Sequence, residues 1–109
     1  MKVAVASSDG IVVNQHFGRA DTFYIYELDE TGHGKPLEIR KGRPFCHGGE
    51  HDDGELLDAV ELLADCEKVF VLQIGRGAEE ALLEKQIEAI ESRGFIDEIL
   101  DEYQRAWQA

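Results

Sequence analysis

The chain alternates between two kinds of hydrophobic pattern. Lys2–Ala6 (KVAVA) is β-rich and predicts a strand, closed by the turn signal Ser7-Ser8-Asp9-Gly10. Ile11–Ala20, with Asn14, Gln15, His16 and Gly18, reads as a loop containing a short extended piece. Thr22–Leu28 (TFYIYEL) is aromatic and β-branched and predicts a second strand. A hairpin turn over Asp29–Gly34 then leads into an alternating strand, Pro36–Arg43, with proline at its start where no ladder donor is needed. The first half therefore predicts three antiparallel strands.

The second half changes period. Pro44–Gly54 (PFCHGGEHDDG) is a loop, and Asp52 with Glu55 has capping-box spacing. The helix that follows carries Leu56, Leu57, Val60, Leu63 and Ala64 on one predicted face. Lys68–Ile74 is apolar almost without interruption, the mark of a central strand buried on both faces. Gly75-Arg76-Gly77 reads as a turn, Ala78–Lys85 as a short helix and Ile87–Glu91 as a strand. After Gly94, the residues Ile96, Ile99, Leu100, Tyr103 and Trp107 trace the buried face of a last helix. An α-β-α-β-α order predicts parallel strands joined by right-handed crossovers.

At 109 residues the chain is one domain's worth, 1–109, and 43% hydrophobic with 31% charged residues is a globular composition. The net charge is -12 and it is unevenly spread. Residues 1–46 hold six Lys/Arg and six Asp/Glu, so the whole excess lies in residues 47–109. Such acidity argues against tracking nucleic-acid phosphates or an anionic membrane surface. An anionic ligand would favour a site built from the first half. The apolar N-terminal stretch breaks at Ser7, too short for a signal peptide, and no apolar run reaches the ~18 residues of a membrane span. The expected location is the cytoplasm, with Cys46 and Cys66 as thiols.

Four segments carry candidate chemistry. In Asn14-Gln15-His16-Phe17-Gly18-Arg19, an imidazole beside a guanidinium suits a metal or an anion; the plainer alternative is a surface turn with Phe17 in the core. In Cys46-His47-Gly48-Gly49-Glu50-His51, the Gly-Gly hinge would let Cys46 and His51 reach one metal. Adding His47 and Cys66 gives a conceivable zinc site, though without the usual spaced couplets; a polar loop and a packed Cys66 are the alternative. Ile74-Gly75-Arg76-Gly77-Ala78-Glu79 offers helix-start amides at a strand's carboxyl end, yet it is neither a P-loop nor a dinucleotide fingerprint. Ser7-Ser8-Asp9 with His16 lacks a nucleophile elbow and reads as turn chemistry, so no catalytic residue is assigned.

Taken in order, MKVAVASSDG, VNQHFGRADTFYIYEL, a cysteine loop and LLADCEKVFVLQIGRGAEEALLEKQIEAIE resemble the dinitrogenase iron-molybdenum cofactor biosynthesis family, which includes NifX, NafY and the C-terminal domain of NifB. The resemblance runs from about Lys2 to Tyr103, and SSDG…NQHFGRA is its specific part. It implies a ribonuclease-H-like α/β fold with a mixed five-stranded sheet and helices on both faces. It implies a protein that binds an iron–sulfur cofactor or its precursor without performing chemistry on it. His16 would be the leading ligand, Arg19 an anion partner, and Cys46, His47 and His51 further candidates. Partners would be cofactor assembly proteins or an apo-nitrogenase-like acceptor. The radical-SAM cysteine triplet of NifB's catalytic part is absent from this sequence. A second reading, of another class, is a metal-sensing or zinc-binding interaction domain using the Cys46–His51 loop. Nuclease chemistry needs carboxylates converging on a metal at the sheet centre, and Lys2–Ala6 and Lys68–Ile74 have none internally.

Overall fold

The computed structural model describes residues 1–29, 34–44, 46–47, 50–51 and 53–108; for 46–47, 50–51, 53 and 107–108 the backbone alone is described. In chain order the elements are β1 (Lys2–Ala6), β2 (Val12–Val13), a 3-10 turn (Phe17–Arg19), β3 (Thr22–Glu27), β4 (Lys35–Lys41), β5 (Cys46–His47) and β6 (Glu50–His51). Then follow α1 (Asp53–Leu62), β7 (Lys68–Val71), α2 (Arg76–Glu84), β8 (Glu88–Glu91), β9 (Gly94–Phe95) and α3 (Ile96–Gln108).

Five strands form one mixed sheet in the order β4-β3-β1-β7-β8. β3 runs antiparallel to both β1 and β4, while β7 is parallel to β1 and β8. The predicted antiparallel first half and parallel second half are both present. β1 shows why the centre is apolar on both sides. Ala4 and Ala6 pack into a core shared with Phe23, Val60 and Leu82, whereas Val3 and Val5 pack into another shared with Phe70, Ile96 and Leu100. So α1 and α2 cover one face and α3 the other. β7 lies between β1 and β8, and Val69, Phe70 and Val71 are buried, as its unbroken hydrophobicity requires.

Several expectations are corrected. β7 stops at Val71, so Leu72–Ile74 belong to the loop that leaves the sheet. On α1 the buried stripe is Leu56, Ala59, Val60 and the following Leu63, while Leu57 is 59% exposed and Ala64 is exposed. Leu57 stands 100° round the helix from Leu56, which turns it off that stripe. Gly75-Arg76-Gly77 is not a separate turn: Gly75 is the N-cap and α2 begins at Arg76. A two-residue ribbon, β2 with β9, was not anticipated from the sequence. The turn over residues 30–33, the Gly48-Gly49 hinge, the Asp52 cap and the Trp107 side chain lie outside the described residues. Among the described residues no helix is long and apolar enough to cross a membrane.

Candidate functional site

The loop after β1 is built from its own polar side chains. Ser7 Oγ accepts from Gly10 N at 2.9 Å and donates to Asp9 Oδ1 at 3.1 Å. Asp9 Oδ1 also accepts from Ile11 N at 2.9 Å and Val12 N at 3.2 Å, and these backbone bonds hold its carboxyl below the usual carboxylate range. Asn14 and Ser8 bond reciprocally: Ser8 N donates to Asn14 Oδ1 and Asn14 Nδ2 to Ser8 Oγ, each at 2.9 Å. Ser7-Ser8-Asp9, read from the sequence as turn chemistry, is therefore a frame.

That frame delivers His16 to the carboxyl end of β7. Leu72 N donates to Gln15 O at 3.0 Å, and Phe17 N donates to Gln73 O at 2.9 Å. His16 is thus held between two backbone bonds to the segment leaving the central sheet. Phe17 is buried and tilted against Phe23 with ring centroids 5.9 Å apart. Gln15 Nε2 donates to Asp21 Oδ1 at 3.1 Å, the main reason that the Asp21 carboxyl is also held low. His16 and Arg19 are exposed, and their side chains make no hydrogen bond or ion pair among the described residues.

The second candidate segment comes to the same place. β5 lies alongside the Phe17–Arg19 turn, and its ladder with β6 pairs Cys46 with His51 and His47 with Glu50. The third is adjacent as well, because Leu72 and Gln73 lead straight to the Gly75 N-cap of α2, which has no side-chain cap. Ligands in α/β sheets gather at this carboxyl edge. Sequence reasoning missed Asn14, Gln15 and Asp21 as the residues that fix the loop; the density of Asn, Gln, Asp and Ser over 7–22 was the available signal.

Cys66 is not brought there. It is 3% exposed in the core beneath α1 and α2, and burial, with the Asp65 carboxylate adding to it, pushes its thiol up to about 12. A thiol kept protonated in an apolar core is a poor metal ligand. Cys66 therefore packs in the core, and the zinc reading finds no support. Among the described residues there is no cluster of three or more His, Cys, Asp or Glu side chains suited to a metal.

Comparison with known proteins bears on this frame. Residues 1–106 match the family model described as dinitrogenase iron-molybdenum cofactor, and the chain belongs to that family. It is 39% identical over 103 residues to the FeMo cofactor biosynthesis protein NifB of Frankia alni, covering 92% of this chain and 20% of that protein. It is 37% identical over 95 residues to NifB of Sinorhizobium fredii (strain NBRC 101917 / NGR234), covering 87% of this chain and 19% of that one. Protein NifY of Klebsiella pneumoniae is 31% identical over 90 residues, 83% of this chain and 37% of NifY. The chain thus spans about a fifth of the length of the NifB proteins that it matches. The crystal structure of PH0822 shares the fold, with a TM-score of 0.73 at 22% identity over 97% of this chain and 92% of that one. So does the NMR structure of TM1290 from Thermotoga, with a TM-score of 0.65 at 22% identity over 95% and 87% of the two chains.

Proposed function

We propose that this protein is a non-catalytic carrier for an iron–sulfur cargo of the iron-molybdenum type, or for its precursor, during cofactor biosynthesis. The observation that carries this reading is the exposed His16, unpaired among the described residues and pinned on both sides to the carboxyl end of β7. The imidazole ligates iron in the cargo and Arg19 meets its negative charge. Cys46, His47 and His51, on the ladder whose β5 strand lies beside that turn, are the further ligands. Residues 1–109 act as one cofactor-binding domain, in the cytoplasm, delivering to assembly proteins or to a nitrogenase-like acceptor, with no nucleic acid and no membrane as partner. The sheet order supports placing the fold among ribonuclease-H-like domains. The names of the NifB and NifY relatives support the pathway.

The test is an anaerobic titration of the full chain with isolated iron-molybdenum cofactor. Wild type is compared with His16→Ala and Cys46→Ala, and folding is checked by circular dichroism. His16→Ala is expected to lose most of the affinity, and Cys46→Ala a smaller part. A folded His16→Ala protein that binds like wild type overturns the carrier mechanism.

A further inference from the structure

The carrier reading gives the cargo's negative charge to Arg19 alone, and the inference that follows rests on that reading. The chain has 23 Asp and Glu against 11 Lys and Arg. Several cations take up part of that excess. The N-terminal ammonium meets Glu27, Lys2 and Arg40 meet Asp65, and Lys68 meets Glu88. Arg19, Lys35, Arg43, Arg93 and Arg105 have no such tie among the described residues, and of these Arg19 and Arg43 lie at the edge where His16 is held. Both are exposed, and neither side chain makes a hydrogen bond or ion pair among the described residues.

The fold sets these two guanidinium groups on neighbouring stretches of chain. Thr22 of β3 pairs with Lys41 of β4, and Gly42 N donates to Asp21 O at 3.0 Å. Arg43 follows directly, and β5, a few residues on in sequence, lies against the Phe17–Arg19 turn. Lys41, Gly42 and β5 therefore lie beside residues 17–22, at the edge where His16 is held. Lys41, whose Nζ donates to Thr22 Oγ1 at 3.1 Å, adds a third cation. The nearby carboxylates, Asp9 and Asp21, are already engaged by the loop's own amides and hydroxyls. A guanidinium left over in an acidic protein presents its fork of donors to an anion from outside.

We propose that Arg43 is a second anion-binding residue of the His16 site, and that with Arg19 it selects an anionic metal–sulfide cargo over a bare metal cation. Two flanking cations draw a dianion in and repel a divalent metal ion, so the pair acts on both affinity and choice of cargo.

The experiment uses the full chain under anaerobic conditions with two probes, the tetrathiomolybdate dianion and a ferrous salt. Bound metal is measured by equilibrium dialysis. Arg43→Gln is expected to weaken tetrathiomolybdate binding about fivefold at low salt, with Arg43→Lys retaining most of it. The difference should close at ~0.5 M salt, where exposed charges are screened. Ferrous binding should stay the same or tighten in Arg43→Gln. Arg43→Gln binding tetrathiomolybdate as wild type does overturns the charge clamp, and the carrier still stands if His16→Ala loses the isolated cofactor. An equal loss for both probes also overturns it, because the effect is then not one of charge. Wild type that takes up neither tetrathiomolybdate nor isolated cofactor overturns the clamp and the carrier together. Circular dichroism of each variant separates loss of binding from loss of fold.

Discussion

Gly10 and Gly77 are the same residue in opposite circumstances. Gly10 has φ +74, and a Cβ built there would lie 2.6 Å from the Tyr24 ring. Gly77 sits inside α2 with open space around it. Gly10→Ala is therefore expected to destabilise the protein by about 1–3 kcal/mol, through left-handed backbone strain and collision. Gly77→Ala should stabilise it by about 0.5–1 kcal/mol, because alanine loses less freedom on entering a helix. Urea denaturation of the two variants checks both signs. Cys66 gives a second prediction at this scale. Its buried thiol, raised to about 12, should resist a disulfide exchange reagent at neutral pH and react only when the protein unfolds. Thiol titration of a Cys46→Ser variant with and without denaturant measures this. Rapid labelling of the folded variant would show that the core around Cys66 opens.

At the scale of elements, what the sequence makes legible depends on how long each pattern runs. β1 is found to the residue because all of Lys2–Ala6 is strand-like, while β7 is found but overrun at its end, because Leu72 and Ile74 continue the apolar run past Val71. β2 and β9 have two residues each, too few for a period, and their pairing joins positions 83 apart in Val12 and Phe95. The candidate site is legible only as separate pieces. SSDG…NQHFG and the Cys46–His51 segment announce themselves by residue type, but their meeting rests on backbone bonds such as Leu72 N to Gln15 O. Any residue but proline supplies those bonds, so little in the side chains foretells them. Phe17 is where the two levels join, since one ring in the core anchors the turn beside His16. Phe17→Ala should cost about 3–5 kcal/mol by opening a cavity beneath Phe23. In a variant that remains folded at low temperature, the His16 ring resonances should sharpen and lose dispersion in NMR spectra, because the turn is no longer held. Unchanged His16 resonances would mean that the two backbone bonds suffice without the anchor.

Across the whole molecule, the three-helix cover leaves charge management to a few ties between distant segments. The principal one gathers β1, β4 and the end of α1 around Asp65. Arg40 reaches Asp65 through both terminal nitrogens, at 2.6 and 2.8 Å, and donates to Leu62 O at 2.9 Å, while Lys2 Nζ lies 2.9 Å from Asp65 Oδ2. Those donors, Arg40 first, hold the Asp65 carboxyl far below its ordinary 3.8. A carboxyl whose pKa is lower folded than unfolded contributes stability above its unfolded value and loses it as pH falls below that value. The fold should therefore weaken from about pH 4 downward, and Asp65 should account for part of the loss alongside Asp9 and Asp21, whose carboxyls are also lowered. Because Asp65 is half exposed, solvent screens the tie, and Asp65→Asn should cost only about 1 kcal/mol at neutral pH. The informative quantity is the slope. Between about pH 4 and pH 2.5 the urea midpoint of Asp65→Asn should fall less than that of wild type, since the variant has no proton to take up there. His16→Ala, altered at the exposed rim, should follow the wild-type curve throughout. Equal acid slopes for wild type and Asp65→Asn would place the acid sensitivity elsewhere, in the Asp9 and Asp21 loop that frames the candidate site.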